Sequence, residues 1–446
     1  MSDKSGAATE SGTEQAIMIE DRAICGYPSD LSTDFVRKVT ETYATRVFLI
    51  GIGLVATVIV ARILGPEGRG LYAVAAATGT LGVQFANLGL HSANVYLVAR
   101  DPEMLAPLVG NSLTISFGFG GLISLILAIV FLRFPNLLSL HGALLFLALL
   151  WIPLGLAYLL MQNLMLGVHD VRGYNLLEIA SKVIPLFLIA CIIVSRRGSV
   201  LSFFAAGEVS LLVGSVGAWG RLRARFAGRL TVSLPLFRGS IRYAAKAYLA
   251  AFFAFLVLRA DLFMVQHMLG MEQAGYYSVA ASMADYCSIL AVVIGTILFP
   301  KLSAMTEIDA KIRLTQKAAW GTAGLLFPIL TIAALLARPT VHLLFGAAFL
   351  PAAMAFVFLM PGMLFLGVNS VAVQFLNSIG YPKSVVIIWG SCSVFNICVN
   401  LWAIPQYGIV GASIVSSISY FLAFFFILEV IRRTSLRLRT GDSACI

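Results

Sequence analysis

LGPEGRGLYAVAAA at residues 64–77 returns as LGMEQAGYYSVAAS at residues 269–282. Aligned without a gap at an offset of 205 residues, Leu64, Gly65, Glu67, Gly70, Tyr72, Val74, Ala75 and Ala76 meet Leu269, Gly270, Glu272, Gly275, Tyr277, Val279, Ala280 and Ala281. Unrelated apolar segments of this length share roughly one or two identities, so the chain reads as a duplication. Glycine recurs at the same two places in each copy, which predicts a tight turn whose backbone geometry a Cβ would obstruct.

The chain around these turns lacks the polar surface of a water-soluble globule. Its 446 residues are 59% hydrophobic and only 12% charged, with a mean hydropathy of +0.92, a balance that belongs in a bilayer. Runs of about 20 apolar residues suit helices that cross the hydrocarbon with every backbone hydrogen bond satisfied internally. Twelve such spans are read near 45–64, 71–98, 107–132, 141–165, 175–194, 200–219, 243–268, 275–300, 317–337, 352–379, 384–403 and 408–431. The offset carries span 1 onto span 7, 2 onto 8, 3 onto 9 and 5 onto 11. Six spans separate the copies, and an even number makes a parallel repeat about an axis along the membrane normal. The expected fold is an all-α integral membrane protein of two pseudo-symmetric six-helix bundles, 45–219 and 243–431, around a central cavity. A basic cytoplasmic linker at 220–242 would join them, with cytoplasmic tails at 1–44 and 432–446.

The formal charge of +10 matters less than where it falls. With the first 44 residues in the cytoplasm, most of the 31 Lys and Arg lie in cytoplasmic segments, which places both termini there. The densest basic stretch, GRLRARFAGRL at 220–230, is expected to meet anionic lipid headgroups. Nucleic acid is not an expected partner, because no aromatic stacking platform accompanies those charges. No secretory signal is read before the first span, which is expected to direct its own insertion. The six cysteines, at 25, 191, 287, 392, 398 and 445, show no metal-ligand spacing, so free thiols and no bound metal are expected. Short external loops, the longest near 133–140, argue against an extracytoplasmic catalytic domain. The absence of GxxxxGK[ST] removes nucleotide hydrolysis through a P-loop. The expectation is a non-enzyme without cofactor, driven by a gradient or by its substrate.

Polar residues inside the spans supply the candidate site. Span 2 carries Thr80, Gln84, Asn87, His91 and Asn94 at spacings of 4, 3, 4 and 3, one face of a continuous helix. Such a stripe either lines a cavity or bonds to neighbouring helices. In span 8, Ser278, Ser282 and Asp285 occupy the matching face, Asp285 falling on Thr80. Span 7 contains Arg259 and Asp261, which at i, i+2 point apart; charges there are costly unless they face water or a partner. Arg259 is read either as an anion ligand or as the partner of a carboxylate on another helix, such as Glu208 in span 6. Lys182 and Glu178, one turn apart in span 5, read as a local pair. Lys246 and Arg46, at equivalent starts of spans 7 and 1, form either an inner vestibule for phosphates or snorkelling anchors. Polar edges in span 10 (Ser370, Gln374, Asn377) and span 11 (Ser393, Asn396, Asn400) are expected to join helices. Pro185, Pro328 and Pro361 offer kink points.

ARILGPEGRGLYAVAAATGTLGVQFANLGL, RADLFMVQHMLGMEQAGYYSVAASMADY, FPKLSAMTE, NSIGYPK and NICVNLWAIPQYGIVGASI resemble segments of the bacterial lipid-linked oligosaccharide flippases of the Wzx-like polysaccharide transporter family. That family shares a superfamily with multidrug and toxin extruders and the lipid II flippase. The resemblance covers most of residues 40–431. It implies two six-helix lobes, a cationic lumen, alternating access and the bacterial inner membrane. It also implies export of a polyprenyl-pyrophosphate-linked glycan for surface or exopolysaccharide synthesis, alongside other glycan-assembly membrane proteins. On this reading Arg259, Gln84, Asn87, His91, Asn94, Lys246 and Arg46 bind substrate. Asp261, Asp285 and Glu208 are candidates for coupling to a proton or sodium ion. The alternative is a cation-coupled multidrug extruder of the same superfamily.

Overall fold

The computed structural model describes the backbone of residues 31–439 apart from 227 and 381, and the side chains of residues 48–437 apart from those two and 243. The chain divides into a short unit, Met1–Arg46, and a large one, Val47–Ile446. Helices account for the regular structure of the described residues: α1 (Leu31–Asn87), α2 (Leu90–Arg100), α3 (Leu105–Thr114), α4 (Gly120–Arg133), α5 (Gly142–Gly167), α6 (Val171–Val194), α7 (Val200–Arg223), α8 (Leu234–Leu269), α9 (Met271–Ala304), α10 (Ile308–Leu335), α11 (Ala337–Phe345), α12 (Pro351–Ser378) and α13 (Lys383–Arg439).

Among the described residues ten helical stretches are long and apolar enough to cross a membrane: nine of these helices and the run Pro102–Arg133 that takes in α3 and α4. Two of the ten are double. Gly65 leaves helical geometry inside α1 (φ 68°, ψ −177°), and Gly408 does so inside α13 (φ 62°, ψ −146°). Counting each as two arms gives twelve spans, as the apolar runs predict. The protein is a multi-pass all-α membrane protein. Boundaries differ from the sequence reading in identifiable places. The helix carrying span 1 begins at Leu31 rather than near 45, and the one carrying span 7 begins at Leu234, where Ser233 caps it by accepting the Leu236 N–H. Span 3 is interrupted by a π segment at Ile115–Phe119.

Each half is organised around its fourth span. Helix α5 packs against α7, α2 and α4, and α12 packs against α9, α13 and α10. These two helices have the most buried crossing windows, 56% in each. Ile152, Leu156, Leu160 and Leu164 of α5 and Phe356 and Phe375 of α12 are fully enclosed. Of the two polar edges expected to join helices, the one on α13 does so, whereas Ser370, Gln374 and Asn377 bond within α12 itself. Asn396 donates to Ser419, Asn400 to Asn396, and Ser393 to the Phe253 carbonyl of α8.

The duplicated turns explain where the halves meet. Gly65 and Gly270 share one backbone conformation, φ 68° with ψ −177° and φ 91° with ψ 178°, a region that a Cβ disfavours. Five residues later Gly70 lies against the other copy so closely that a Cβ would sit 1.9 Å from the Met271 carbonyl oxygen. A Cβ on Gly275 would sit 1.9 Å from the Pro66 carbonyl oxygen. Pro66 and Met271 are themselves 205 residues apart, so the contact is reciprocal about the pseudo-twofold axis. Beside it, Arg62 donates to the Leu343 and Leu344 carbonyls at the C-terminal end of α11, where the helix dipole favours a cation.

Gly70→Val and Gly275→Val are each expected to separate the two turns, because no rotamer moves a Cβ away from a backbone carbonyl. Electron–electron distance measurements between spin labels at the exposed positions 67 and 272 are expected to lengthen by several ångström in both variants; an unchanged distribution in either would contradict the contact.

Candidate functional site

Immediately below the turn contact lies a cavity of about 290 Å³. Its walls repeat the duplication residue by residue. Tyr72 is matched in the lining by Tyr277, Ala73 by Ser278, Ala76 by Ala281, Ala77 by Ser282 and Thr80 by Asp285, each pair 205 residues apart, on the second arm of α1 and on α9. The matching register puts both helices' small and polar faces toward one shared space. A third wall comes from α8, through Phe255, Leu258, Arg259, Asp261 and Leu262, and breaks the symmetry.

The charges of this cavity are largely committed. Arg259 and Asp285 form a 2.8 Å ion pair, with 37% and 38% of their side chains exposed. Of the two alternatives for Arg259, the structure takes the carboxylate on another helix, but it is Asp285 and not Glu208. Asp261 is 1% exposed. One oxygen accepts the Leu262 N–H at 2.8 Å; the other accepts the Ser416 hydroxyl at 2.8 Å and the Tyr277 hydroxyl. A buried carboxylate with this many donors is a well-satisfied one.

Arg69 differs. It is 7% exposed, and its one hydrogen bond is a long 3.4 Å contact from Nη2 to Ser282. Its guanidinium lies over the Tyr72 ring at 5.6 Å, and Nε has no partner. The spacing of polar residues within the spans does not single this residue out. The signal was available: the second copy of the repeat has Ala274 there.

The span 2 stripe does not stay together. Positive φ at Leu88 (50°) and Gly89 (79°) breaks the helix between Asn87 and His91, so the 3.6-residue register ends there. Of the five residues only Thr80 lines the cavity. The carbonyls of Gln84 and Phe85 accept the Tyr248 hydroxyl of α8. Asn87 bonds His91 at 2.7 Å across the break, and Asn94 donates to Ser112 inside the N-terminal half. Lys246 is exposed on α8 and does not line the cavity. Arg46 lies outside the described side chains. Glu208 is buried, and neither of its oxygens has a protein partner. Lys182 and Glu178 are not joined by an ion pair; Lys182 instead lines a second cavity. No group of three or more His, Cys, Asp or Glu that could hold a metal occurs among the described residues.

Comparison with known proteins places this geometry. A family model described as "Polysaccharide biosynthesis protein" matches residues 59–354. An uncharacterized membrane protein of Methanocaldococcus jannaschii is 32% identical over 157 residues, covering 34% of this chain and 31% of that protein. Among solved structures, an inward-facing multidrug resistance MATE family transporter of the MOP superfamily superposes with TM-score 0.69 at 15% identity, covering 88% of this chain and 96% of that one. The lipid II flippase MurJ in an inward closed conformation gives TM-score 0.66 at 16% identity, covering 87% of each. A MOP superfamily transporter from Pyrococcus furiosus, described as having a binding pocket of reverse polarity, gives 0.63 at 15%, covering 89% and 95%. At these identities the likeness is one of fold.

Breaking the half-exposed Arg259–Asp285 pair leaves a lone charge beside the cavity. Arg259→Gln and Asp285→Asn are each expected to destabilise the protein by about 1–2 kcal/mol, and the double variant by less than their sum. Thermal or denaturant unfolding in detergent reads this; strict additivity would mean the groups are uncoupled.

Proposed function

Because this chain belongs to the polysaccharide biosynthesis protein family, we propose that it is a flippase that moves a polyprenyl-pyrophosphate-linked oligosaccharide between leaflets by alternating access. The observation that carries the reading is the cavity walled by repeat-related residues of both halves, pinched shut at one end by the Gly70–Gly275 contact. A site shared symmetrically by two bundles is one that either bundle uncovers by rocking against the other.

In this reading the chain sits in a bacterial inner membrane with its termini in the cytoplasm, as the distribution of Lys and Arg supports, and the pinched end faces outward. The membrane lipids hold the polyprenyl tail while the headgroup crosses between the lobes. A cavity of about 290 Å³ is at the lower end of small-ligand sites. An oligosaccharide headgroup therefore needs the lobes to part, with polar groups of the cavity walls such as Thr80, Ser278 and Ser282 meeting its sugars. Moving an anionic headgroup outward is favoured by an inside-negative potential, by about 2.3 kcal/mol per charge per 100 mV. Coupling to a proton or sodium ion would assist through Asp261, Asp285 or Glu208. Glu208 has no protein donor to satisfy it, so it gains most from such neutralisation. Other glycan-assembly membrane proteins would deliver and collect the lipid. The chemistry is translocation, with no bond made or broken.

A second reading has its own support. Beside its two arginines the cavity holds two carboxylates and two tyrosines, groups that also serve cationic drugs, and the MATE transporters share the fold. The two readings give opposite results. Deleting the protein is expected to accumulate a lipid-linked glycan precursor on the cytoplasmic leaflet. Proteoliposomes are expected not to extrude cationic dye under a proton or sodium gradient. Dye efflux with no precursor accumulation would overturn the flippase in favour of the extruder.

A further inference from the structure

The second cavity, of about 310 Å³, lies along the first arm of α1 and shares Arg69 and Tyr72 with the first. Its charged lining is Arg69 and Lys182; none of the described residues lining it is acidic. It too follows the repeat. Gly53, Ala56 and Thr57 line it, while Leu258, Asp261 and Leu262, each 205 residues further on, line the first. Along these equivalent helices the duplication has reversed its polarity. Ala56 stands where the other copy has Asp261, Thr80 where it has Asp285, and Arg69 where it has Ala274.

Two cations without a carboxylate, one of them buried with an unpartnered Nε, form an expensive arrangement inside a membrane protein. Lys182 has no ion pair with Glu178 one turn away, and Arg69 has a single long bond. The hydroxyls are mostly engaged. Tyr158, Ser181 and Ser210 of this lining donate to main-chain carbonyls. Thr57 and Tyr286 lie 3.3 Å apart, and since only one donates to the other, that pair keeps one uncommitted hydroxyl proton. Tyr286 belongs to α9, so the cavity is completed across the two halves.

We propose that this cavity is an oxyanion site in which Arg69 and Lys182 hold a phosphate or diphosphate group, with Thr57 or Tyr286 donating a hydrogen bond. Planar guanidinium and mobile ammonium are the usual partners of phosphoryl oxygens, and Arg69, unlike Arg259 with Asp285, has no carboxylate to neutralise it. Naming the anion as the diphosphate of a lipid-linked glycan rests on the flippase reading; the oxyanion site itself does not. Because Tyr286 comes from the opposite half, separation of α1 from α9 would loosen the anion, which gives the site a means of release.

The test is titration calorimetry on the full chain in phosphatidylcholine nanodiscs, with inorganic pyrophosphate and a short-chain prenyl diphosphate as probes. Arg69→Gln and Lys182→Gln are each expected to weaken pyrophosphate binding by about tenfold or more, Arg69→Lys to recover part of the loss, and Arg259→Gln to change it by less than about threefold. If Arg69→Gln does not fold, Lys182→Gln, altered at an exposed side chain, carries the test. The prenyl probe binding more tightly than pyrophosphate at the same two residues identifies a lipid headgroup, and equal binding identifies a free phosphate anion; both support the site. Loss on Arg259→Gln with none on Arg69→Gln and Lys182→Gln, or no binding to the unaltered chain, overturns it. Either overturning result leaves precursor accumulation, the test of flipping, untouched.

Discussion

Two turns created by duplication meet where neither has a side chain. The approach of Gly70 to the Met271 carbonyl, and of Gly275 to the Pro66 carbonyl, is closer than any Cβ allows, so the contact exists only because both copies kept glycine. It also fixes the register of α1 against α9. The cavity-lining pairs from Tyr72/Tyr277 to Thr80/Asp285 begin two residues beyond the glycines and end ten beyond them. At 1.5 Å per residue they fall within roughly 15 Å of the contact. The point of closure and the polar space are thus set by one piece of backbone geometry.

Symmetry of backbone has not meant symmetry of charge. The C-terminal copy gained Arg259, Asp261 and Asp285, which the structure compensates with one ion pair and a set of hydrogen bonds. The N-terminal copy carries Leu54, Ala56 and Thr80 at those places, and instead places Arg69 and Lys182 beside its own cavity. The two cavities therefore differ in charge, one lined by two arginines and two aspartates, the other by the cations Arg69 and Lys182 alone. A single rocking motion acts on both, because α9 borders each cavity through Asp285 and Tyr286.

The low dielectric of the interior makes pairing the property that ranks these groups. Asp261 accepts three hydrogen bonds, which offset part of the cost of its burial. Arg259 and Asp285 neutralise one another while keeping more than a third of each side chain exposed. Arg69 and Glu208 lack that compensation, and an uncompensated polar group costs more than a satisfied one contributes.

The sequence by itself determined the all-α membrane fold, the twelve spans, the repeat and its register, because hydrophobic length and an ungapped match at an offset of 205 residues are read directly along the chain. The offset also made Thr80 and Asp285 equivalent positions, and the structure puts both in one cavity. Only the tertiary structure decided which charges are free. Whether Arg259 meets Asp285 or Glu208, and whether Lys182 pairs with Glu178, depends on distances between side chains that periodicity does not encode. The span 2 stripe failed for a related reason: helical spacing places residues on one face only while φ stays helical, and Leu88 and Gly89 leave that region. Nothing in the spacing of polar residues marks Arg69 as buried. It became a buried cation only because the second copy of the repeat folds over it.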